Sequence, residues 1–503
     1  METSETKSAA EAHDLKRSMA ELAHKNRWWI LAIVATAQLM VVLDATVVNI
    51  ALPSAQKALA FSNADRQWIV TGYALSFGSL LLLGGRIADL FGRKLTFIVG
   101  LFGFAIASAI GGASTGFPML VTARAVQGAF GALLAPAALS LLTTTFTSSS
   151  ERGKAFGIYG AIAGAGGAIG LLLGGVLTEY LSWRWSLYVN LVFAIAAAVG
   201  GIIFLNKDHR GQRPKLDVPG VVLASAAMFS IVYGFSHAET SSWSNSITIA
   251  FLVAALVLLV SFVFVETKVS HPLLPMRVVL DRNRGGSYLS VFIASVGMFG
   301  VFLFLTYYLQ ETLHYSPVKT GLAFIPMIAL LVVVATFTTA KFLPKFGPKY
   351  LVSTGMLIAA VGMLMLGRVG INSSYTSVVL PALLILGAGL GGIMAPSMNT
   401  ATAGVTPADA GVASATVNTS QQIGGSIGTA LLNTLAASAG TAFLAGKVAN
   451  KQIVAEAAVH SYLAAFRWSA LVFVVGGIIA GSLLKPGAPQ VQEKAESRPV
   501  AIH

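Results

Sequence analysis

Cysteine is absent from all 503 residues, which excludes disulfides, thiolate metal sites and thiol chemistry and leaves the compartment's redox state unread. Histidine is sparse. His13, His24, His209, His237, His271, His314, His460 and His503 fall in tails, loops or the ends of apolar runs, so they form no catalytic or metal cluster in the interior. Charge is the largest deficit: 11% of residues are charged, against about 25% in a soluble globular chain. What fills the space is apolar, 55% hydrophobic residues with a mean hydropathy of +0.76. Such a composition suits lipid rather than water.

Runs long enough to cross about 30 Å of hydrocarbon need about 20 apolar residues at 1.5 Å each. Fourteen candidates meet that length, at 28–52, 67–85, 95–113, 118–142, 156–178, 186–205, 217–237, 247–265, 286–310, 320–340, 350–368, 377–397, 410–432 and 466–484. The weakest are the two before residue 266. Glu2, Glu5, Glu11, Asp14 and Glu21 make the first 27 residues unlike the basic start of a cleaved secretory signal, so the first run reads as an uncleaved anchor. With the N-terminus inside, cytoplasmic loops and tails hold 24 Lys and Arg and the opposite side holds 8, with Arg124 inside a run. Basic residues resist translocation, so both termini are expected in the cytoplasm. The formal net charge of +13 is then explained by loops beside anionic headgroups, without nucleic acid.

Internal repetition divides the chain. "GRIADLFGRK" from Gly85 has a counterpart in "AKFLPKFGPK" from Ala340, and "GAFGALLAP" from Gly128 in "AGLGGIMAP" from Ala388. The glycine-rich run from Gly157 to Gly175 resembles Gly411 to Thr429. The three pairs keep their order at an offset of about 255 residues. The expected architecture is an all-α polytopic membrane protein with two six-helix halves, 28–206 and 286–484. A linker at 207–285 carries two inserted helices, and 1–27 and 485–503 are cytoplasmic tails. Halves related by an axis along the membrane normal suit alternating access.

These residues also carry a family resemblance. "GRIADLFGRK" resembles the loop motif of the major facilitator superfamily, and "LVTARAVQGAFGA", Leu120 to Ala132, its fourth-helix motif, in which an arginine precedes Gln-Gly. "LDATVVNIALP" from Leu43 and "WRWSLYVN" from Trp183 look like markers of the fourteen-helix drug:proton antiporters. The resemblance implies export of lipophilic, often cationic drugs or antibiotics across the cell membrane, the inner or plasma membrane, in exchange for protons. Its partners would be a small lipophilic substrate, protons and the bilayer, with no cofactor, and the unit a functional monomer. The antiporters' fifth helix has a glycine motif that falls here on Gly166, Gly170, Gly174 and Gly175, but Leu171 stands where proline is expected. Leucine cannot remove a helix hydrogen bond, so the bend expected there is in doubt while close glycine packing survives.

Asp44 interrupts the apolar stretch "VVLDATVVNIALP", about 12 Å below the outer end of the first helix; Arg124 lies about 9 Å below that of the fourth. The two charges share a depth and can meet inside the bundle, whereas facing lipid would cost either about 2.5 to 3.5 kcal/mol. One reading is a permanent pair that fixes helix packing. The other is a coupling site, in which Asp44 alternates between a carboxylate, held by Arg124 or a cationic substrate, and a neutral acid. Gly85, Asp89, Gly92, Arg93 and Lys94 form a cytoplasmic loop where a carboxylate can cap a helix start and basic residues can lock the halves together. Asn49, Tyr73, Phe77, Gln127, Phe302, Tyr307, Gln310, Asn418 and Gln421 are candidate cavity residues, since rings and scattered amides suit varied greasy ligands.

"GAGLGG" from Gly387 and "GGSIG" from Gly424 match nucleotide-binding and nucleophile-elbow patterns but lie inside apolar runs with no preceding strand. No catalytic or metal-binding residue is assigned. An uptake carrier for a polar nutrient would crowd its core with polar side chains, and this core holds one acid and one arginine. A narrow-substrate metabolite exporter, an uptake carrier and, remotely, a membrane enzyme remain the alternatives.

Overall fold

The computed structural model describes residues 2–61, 63–146, 148–205, 217–406, 409–448 and 450–488. Asn49 and Leu171, as side chains, the linker stretch 206–216 and the tail 489–503 lie outside the described residues. All regular structure among the described residues is helical, as hydrocarbon requires of a chain that must satisfy its own backbone.

Fifteen helices follow in order among the described residues. The first six are α1 (Glu2–Leu59), α2 (Asn63–Phe91), α3 (Arg93–Gly112), α4 (Phe117–Thr145), α5 (Ser149–Tyr180) and α6 (Trp185–Phe204). Then come α7 (Val218–Thr240), α8 (Ser246–Glu266) and the single turn α9 (Met276–Val279). The last six are α10 (Arg282–Tyr307), α11 (Pro317–Phe337), α12 (Leu343–Leu366), α13 (Leu380–Ala401), α14 (Ala410–Leu444) and α15 (Lys451–Leu483). Short polar side chains start several of them: Asn245 caps α8, Asp281 caps α10, Ser316 caps α11 and Asn450 caps α15, each accepting from a backbone N–H of its first turn.

Twelve segments among the described residues are long and apolar enough to cross a membrane. One of them, Val318–Leu366, has 49 residues and would reach about 73 Å as one straight helix, more than twice the hydrocarbon thickness. It contains α11, a π turn at Thr338–Phe342 and α12, with a kink at Gly347, whose φ of 73° admits glycine readily. The 32-residue α5 is not among the twelve.

Two large apolar cores form. One gathers α1 to α6 around Phe97, Phe104 and Phe156, and the other gathers α10 to α15 around Phe324, Phe466 and Phe473. Glycines let helix backbones touch in corresponding places. Gly84 and Gly128 seat α2 on α4 against Ala132 and Tyr73, and Gly387 and Gly391 seat α13 on α11 against Met327 and Leu331. Helices α7 and α8 pack on each other through Ala227, Met228, Ile231 and Ala255. They meet the rest of the bundle at Leu82 of α2 and Ala415 of α14. The outer side of α8 leaves Leu256, Val260 and Phe264 exposed, as a lipid-facing helix does.

Candidate functional site

Asp44 is 0% exposed and Arg124 is 2% exposed. Their meeting follows from helix geometry: α4 packs beside α1, and each residue sits on the inward face at a similar depth. Arg124 Nη1 donates to Asp44 Oδ2 at 2.6 Å and to Gln127 Oε1, one helical turn on, at 2.6 Å. Gln127 Nε2 donates to Asp44 Oδ1 at 2.7 Å, and Asn190 Nδ2 of α6 donates to the same oxygen at 2.7 Å. Both amides also donate to Ser108 Oγ of α3, at 2.7 and 3.3 Å. The carboxylate thus accepts three donors, one of them cationic. This is the arrangement a buried anion requires.

Below the guanidinium lies the ring of Tyr73, 4.3 Å from centroid to Cζ, and Phe77 stacks on Tyr73 at 5.5 Å. Three polar atoms of the cluster are buried without a hydrogen bond: Arg124 Nε, Asn190 Oδ1 and the Tyr73 hydroxyl. The network is therefore tight around Asp44 and slack at its rim. Protonating Asp44 would weaken its hold on Arg124 without leaving the guanidinium bare, because Gln127 and the Tyr73 ring still face it.

The glycine motif of α5 lies directly against the Asp44 segment. Cβ atoms added at Gly166 and Gly174 would come within 2.6 Å of Val42 and 3.1 Å of Val47, and one at Gly170 would collide with Thr46. Gly175 is buried. The spacing of four residues stacks three of these glycines on one face, and that face clamps α1 on both sides of the acid.

The Asp89 loop makes a second assembly. Asp89 Oδ1 accepts from Gly411 N at 3.0 Å and Oδ2 from Val412 N at 3.3 Å, so an acid from α2 caps the start of α14 across the molecule. Gly85 permits the approach, since a Cβ there would sit 2.6 Å from both Gly411 O and Ala415 Cβ. Gly92 turns the chain into α3 at φ 101°. Arg93 lies 3.9 Å from Asp89 and donates to Ser140 Oγ at 2.8 Å, while Lys94 donates to the Ile202 and Leu205 carbonyls at the end of α6.

A matching seam appears at the repeat positions. Gly153 and Gly157 of α5 press on Thr339, Ala340 and Thr336, Gly160 faces Ala395, and Arg152 Nη2 donates to Thr402 Oγ1 at 2.9 Å. Ala340 is the repeat counterpart of Gly85, and Gly157 that of Gly411, so the two seams join corresponding helices, although Ala340 meets Gly153, one turn before Gly157.

Of the candidate cavity residues, the structure draws Gln127 and Tyr73 into the Asp44 cluster and seats Phe77 against Gly131. Phe302 stacks on Phe324 at 5.5 Å and looks across to Gly167, Asn418 donates to its own helix at Ser414 O, and Tyr307 is exposed. Among the described residues, the hydrogen bonds of the cluster come from α3, α4 and α6, so Phe302, Tyr307, Gln310, Asn418 and Gln421 stand outside it. Sequence reasoning assigned no role to Ser108 or Asn190. Asn190 had a signal, as the sole amide in the apolar run of α6; Ser108 is one small residue among many in α3.

The sequence profile of the Major Facilitator Superfamily matches residues 34–429. The chain is similar to the puromycin resistance protein pur8 of Streptomyces alboniger, 47% identical over 91% of both chains. It is similar to the cephamycin export protein CmcT of Amycolatopsis lactamdurans, 38% identical over 81% of this chain and 85% of the relative. The tetracenomycin C resistance and export protein of Streptomyces glaucescens is 34% identical over 82% of this chain and 76% of its own. In fold, the chain is similar to the human organic anion transporter MFSD10, with a TM-score of 0.61 at 14% identity, covering 90% of this chain and 99% of that one.

Proposed function

On the premise that the chain belongs to the major facilitator superfamily, and is a multi-pass transporter of the plasma membrane rather than an enzyme, we propose that it exports lipophilic, often cationic antibiotics or drugs in exchange for protons. The observation that carries this reading is the buried Asp44–Arg124 pair with its amide donors Gln127 and Asn190. Similarity to proteins named for resistance to puromycin and export of cephamycin supports the cargo class.

The proposed cycle uses one carboxylate. When ionised, Asp44 holds Arg124, Gln127 and Asn190. A proton arriving from outside neutralises it, the donors relax, and α1 can shift along the glycine face of α5. With the Asp89 end inside, the two seams at Gly85–Gly411 and Gly153–Thr339 close the cytoplasmic path in the present state, and their parting opens it. A driving force of about 100 mV and one pH unit supplies about 3.7 kcal/mol per proton, enough for a gradient of several hundredfold in a neutral compound. A single acid therefore suffices.

We place fourteen spans in two six-helix bundles, 28–206 and 286–484, with α7 and α8 between them and both termini in the cytoplasm. The 49-residue segment is too long to cross once, and α5 has the length to span. Export is tested by accumulation in cells. Expression should lower the steady-state content of lipophilic cations, and a protonophore should restore it. Content unchanged by expression overturns export, and content insensitive to the protonophore overturns proton coupling.

A further inference from the structure

A pair of buried acids lies far along the chain from Asp44. Asp217 starts α7 and is 6% exposed; Glu266 ends α8 and is 3% exposed. Each uses one carboxyl oxygen on a backbone N–H. Asp217 Oδ1 accepts from Gly220 at 3.0 Å, capping α7, and Glu266 Oε2 accepts from Leu274 at 2.9 Å, tying down the segment that leads into α9. The other two oxygens, Asp217 Oδ2 and Glu266 Oε1, are buried without a hydrogen-bond partner. They converge over the Cα of Gly220, where an added Cβ would collide with both.

Two carboxylates in this arrangement cannot both carry charge without a cation between them. The charged groups on the surrounding elements are engaged elsewhere or turned away. Among the described residues these are Arg86 and Asp89 on α2, Lys268, His271 and Arg277 after α8, and Asp409 before α14. Asp89 caps α14, Arg277 pairs with Asp409 at 2.9 Å, Lys268 lies over the Phe264 ring, and His271 is exposed. Arg86 is buried on the α2 turn next to Asp89 with its Nε unpartnered, and its charge bears on Asp89 rather than on Glu266. The charge that acts on Glu266 is that of Asp217.

We propose that this pair is a proton-binding site, in which Glu266 Oε1 carries one proton and donates it to Asp217 Oδ2. One proton satisfies both orphaned oxygens at once. It belongs on Glu266 because Asp217 caps a helix N-terminus, where a negative charge is favoured. The neutral Glu266 still accepts from Leu274 through Oε2, so no existing bond is lost. The site clasps α7, α8 and the Leu273–Leu274 turn, and it borders the apolar cluster of Leu82, Ala224, Phe262, Leu273 and Ala415. Ala415 is also the residue that Gly85 meets in the α2–α14 seam, so the protonated clasp braces the inserted helices against that seam. The inference does not rest on the role given to Asp44.

The test uses the full chain in lipid nanodiscs. The infrared band of protonated carboxyl groups at neutral pH should lose the intensity of one group in E266Q, whose amide can donate to Asp217 in place of the proton, while D281N, at an exposed cap, leaves the band intact. The melting temperature of the wild type should also fall relative to that of E266Q as pH rises from about 4.3, where an unfolded glutamate releases its proton, through the pH at which the folded pair releases its own, because over that window only the folded state holds the proton. If E266Q does not fold, D217N serves. Its amide can donate to an ionised Glu266, so the band is lost again. A band unchanged in the substituted protein, or a pH dependence of stability equal to wild type, overturns the site.

Discussion

Replacing Arg124 by methionine keeps much of the side-chain volume and removes the one cation that faces Asp44. The carboxylate would keep its bonds from Gln127 and Asn190 but lie buried with no counter-charge. Breaking a buried pair from one side typically costs about 3 to 5 kcal/mol. Asp44→Asn does the same from the other side and leaves the guanidinium uncompensated, apart from the Gln127 carbonyl and the Tyr73 ring. The double substitution leaves no buried charge, so its cost should fall short of the sum of the singles by about 2 to 3 kcal/mol. Unfolding of each protein by sodium dodecyl sulfate in mixed micelles, followed by tryptophan fluorescence, gives the four free energies. Screening is weak at this burial, so the coupling should persist at high salt. Additivity within about 0.5 kcal/mol would refute the reasoning, because Asp44 would then not be an anion held by Arg124.

Asp89→Ala removes both acceptors from the first turn of α14 and should cost about 1 kcal/mol. Turnover should change while drug affinity, measured on purified protein, stays within about twofold, a change of no more than about 0.4 kcal/mol. Gly157→Val drives a branched side chain into Thr336 and should hold the second seam apart. The chain has no native thiol, so Ala340→Cys in that background should react faster with a maleimide added from the cytoplasmic side than Ala340→Cys alone. Ser108→Ala strips an acceptor from two buried amides and should destabilise by about 1 to 3 kcal/mol, measured by the same unfolding assay. Tyr73→Phe should be close to neutral there, since the hydroxyl has no partner and the ring remains under Arg124.

The helical class was legible because lipid leaves the backbone few options, and apolar length alone marks most spans. The Asp44–Arg124 contact was legible for a related reason: two opposite charges at one depth of two apolar helices have few places to go. Ser108 and Asn190 were not assigned roles, because a serine or an amide in a long apolar helix is common and its partner depends on helix rotation, which periodicity does not fix when a helix is apolar all round. The Asp89 loop showed its chemistry, a carboxylate suited to a helix start, but not its partner, which lies more than 300 residues on. Lys94 reads in the sequence as a residue that can lock the halves together, and the structure has it donating to the end of α6. The amides Gln310 and Gln421 follow no pattern that separates a cavity wall from helix packing, and they stand outside the Asp44 cluster.

The most direct test of the central claim is collapse of an imposed pH gradient in everted membrane vesicles, with wild type compared to Asp44→Asn over lipophilic cations and neutral compounds. Coupled export through Asp44 predicts that drug addition collapses the gradient in wild-type vesicles and leaves it intact in the mutant. Equal collapse in both, from mutant protein shown to be folded and inserted, would contradict it.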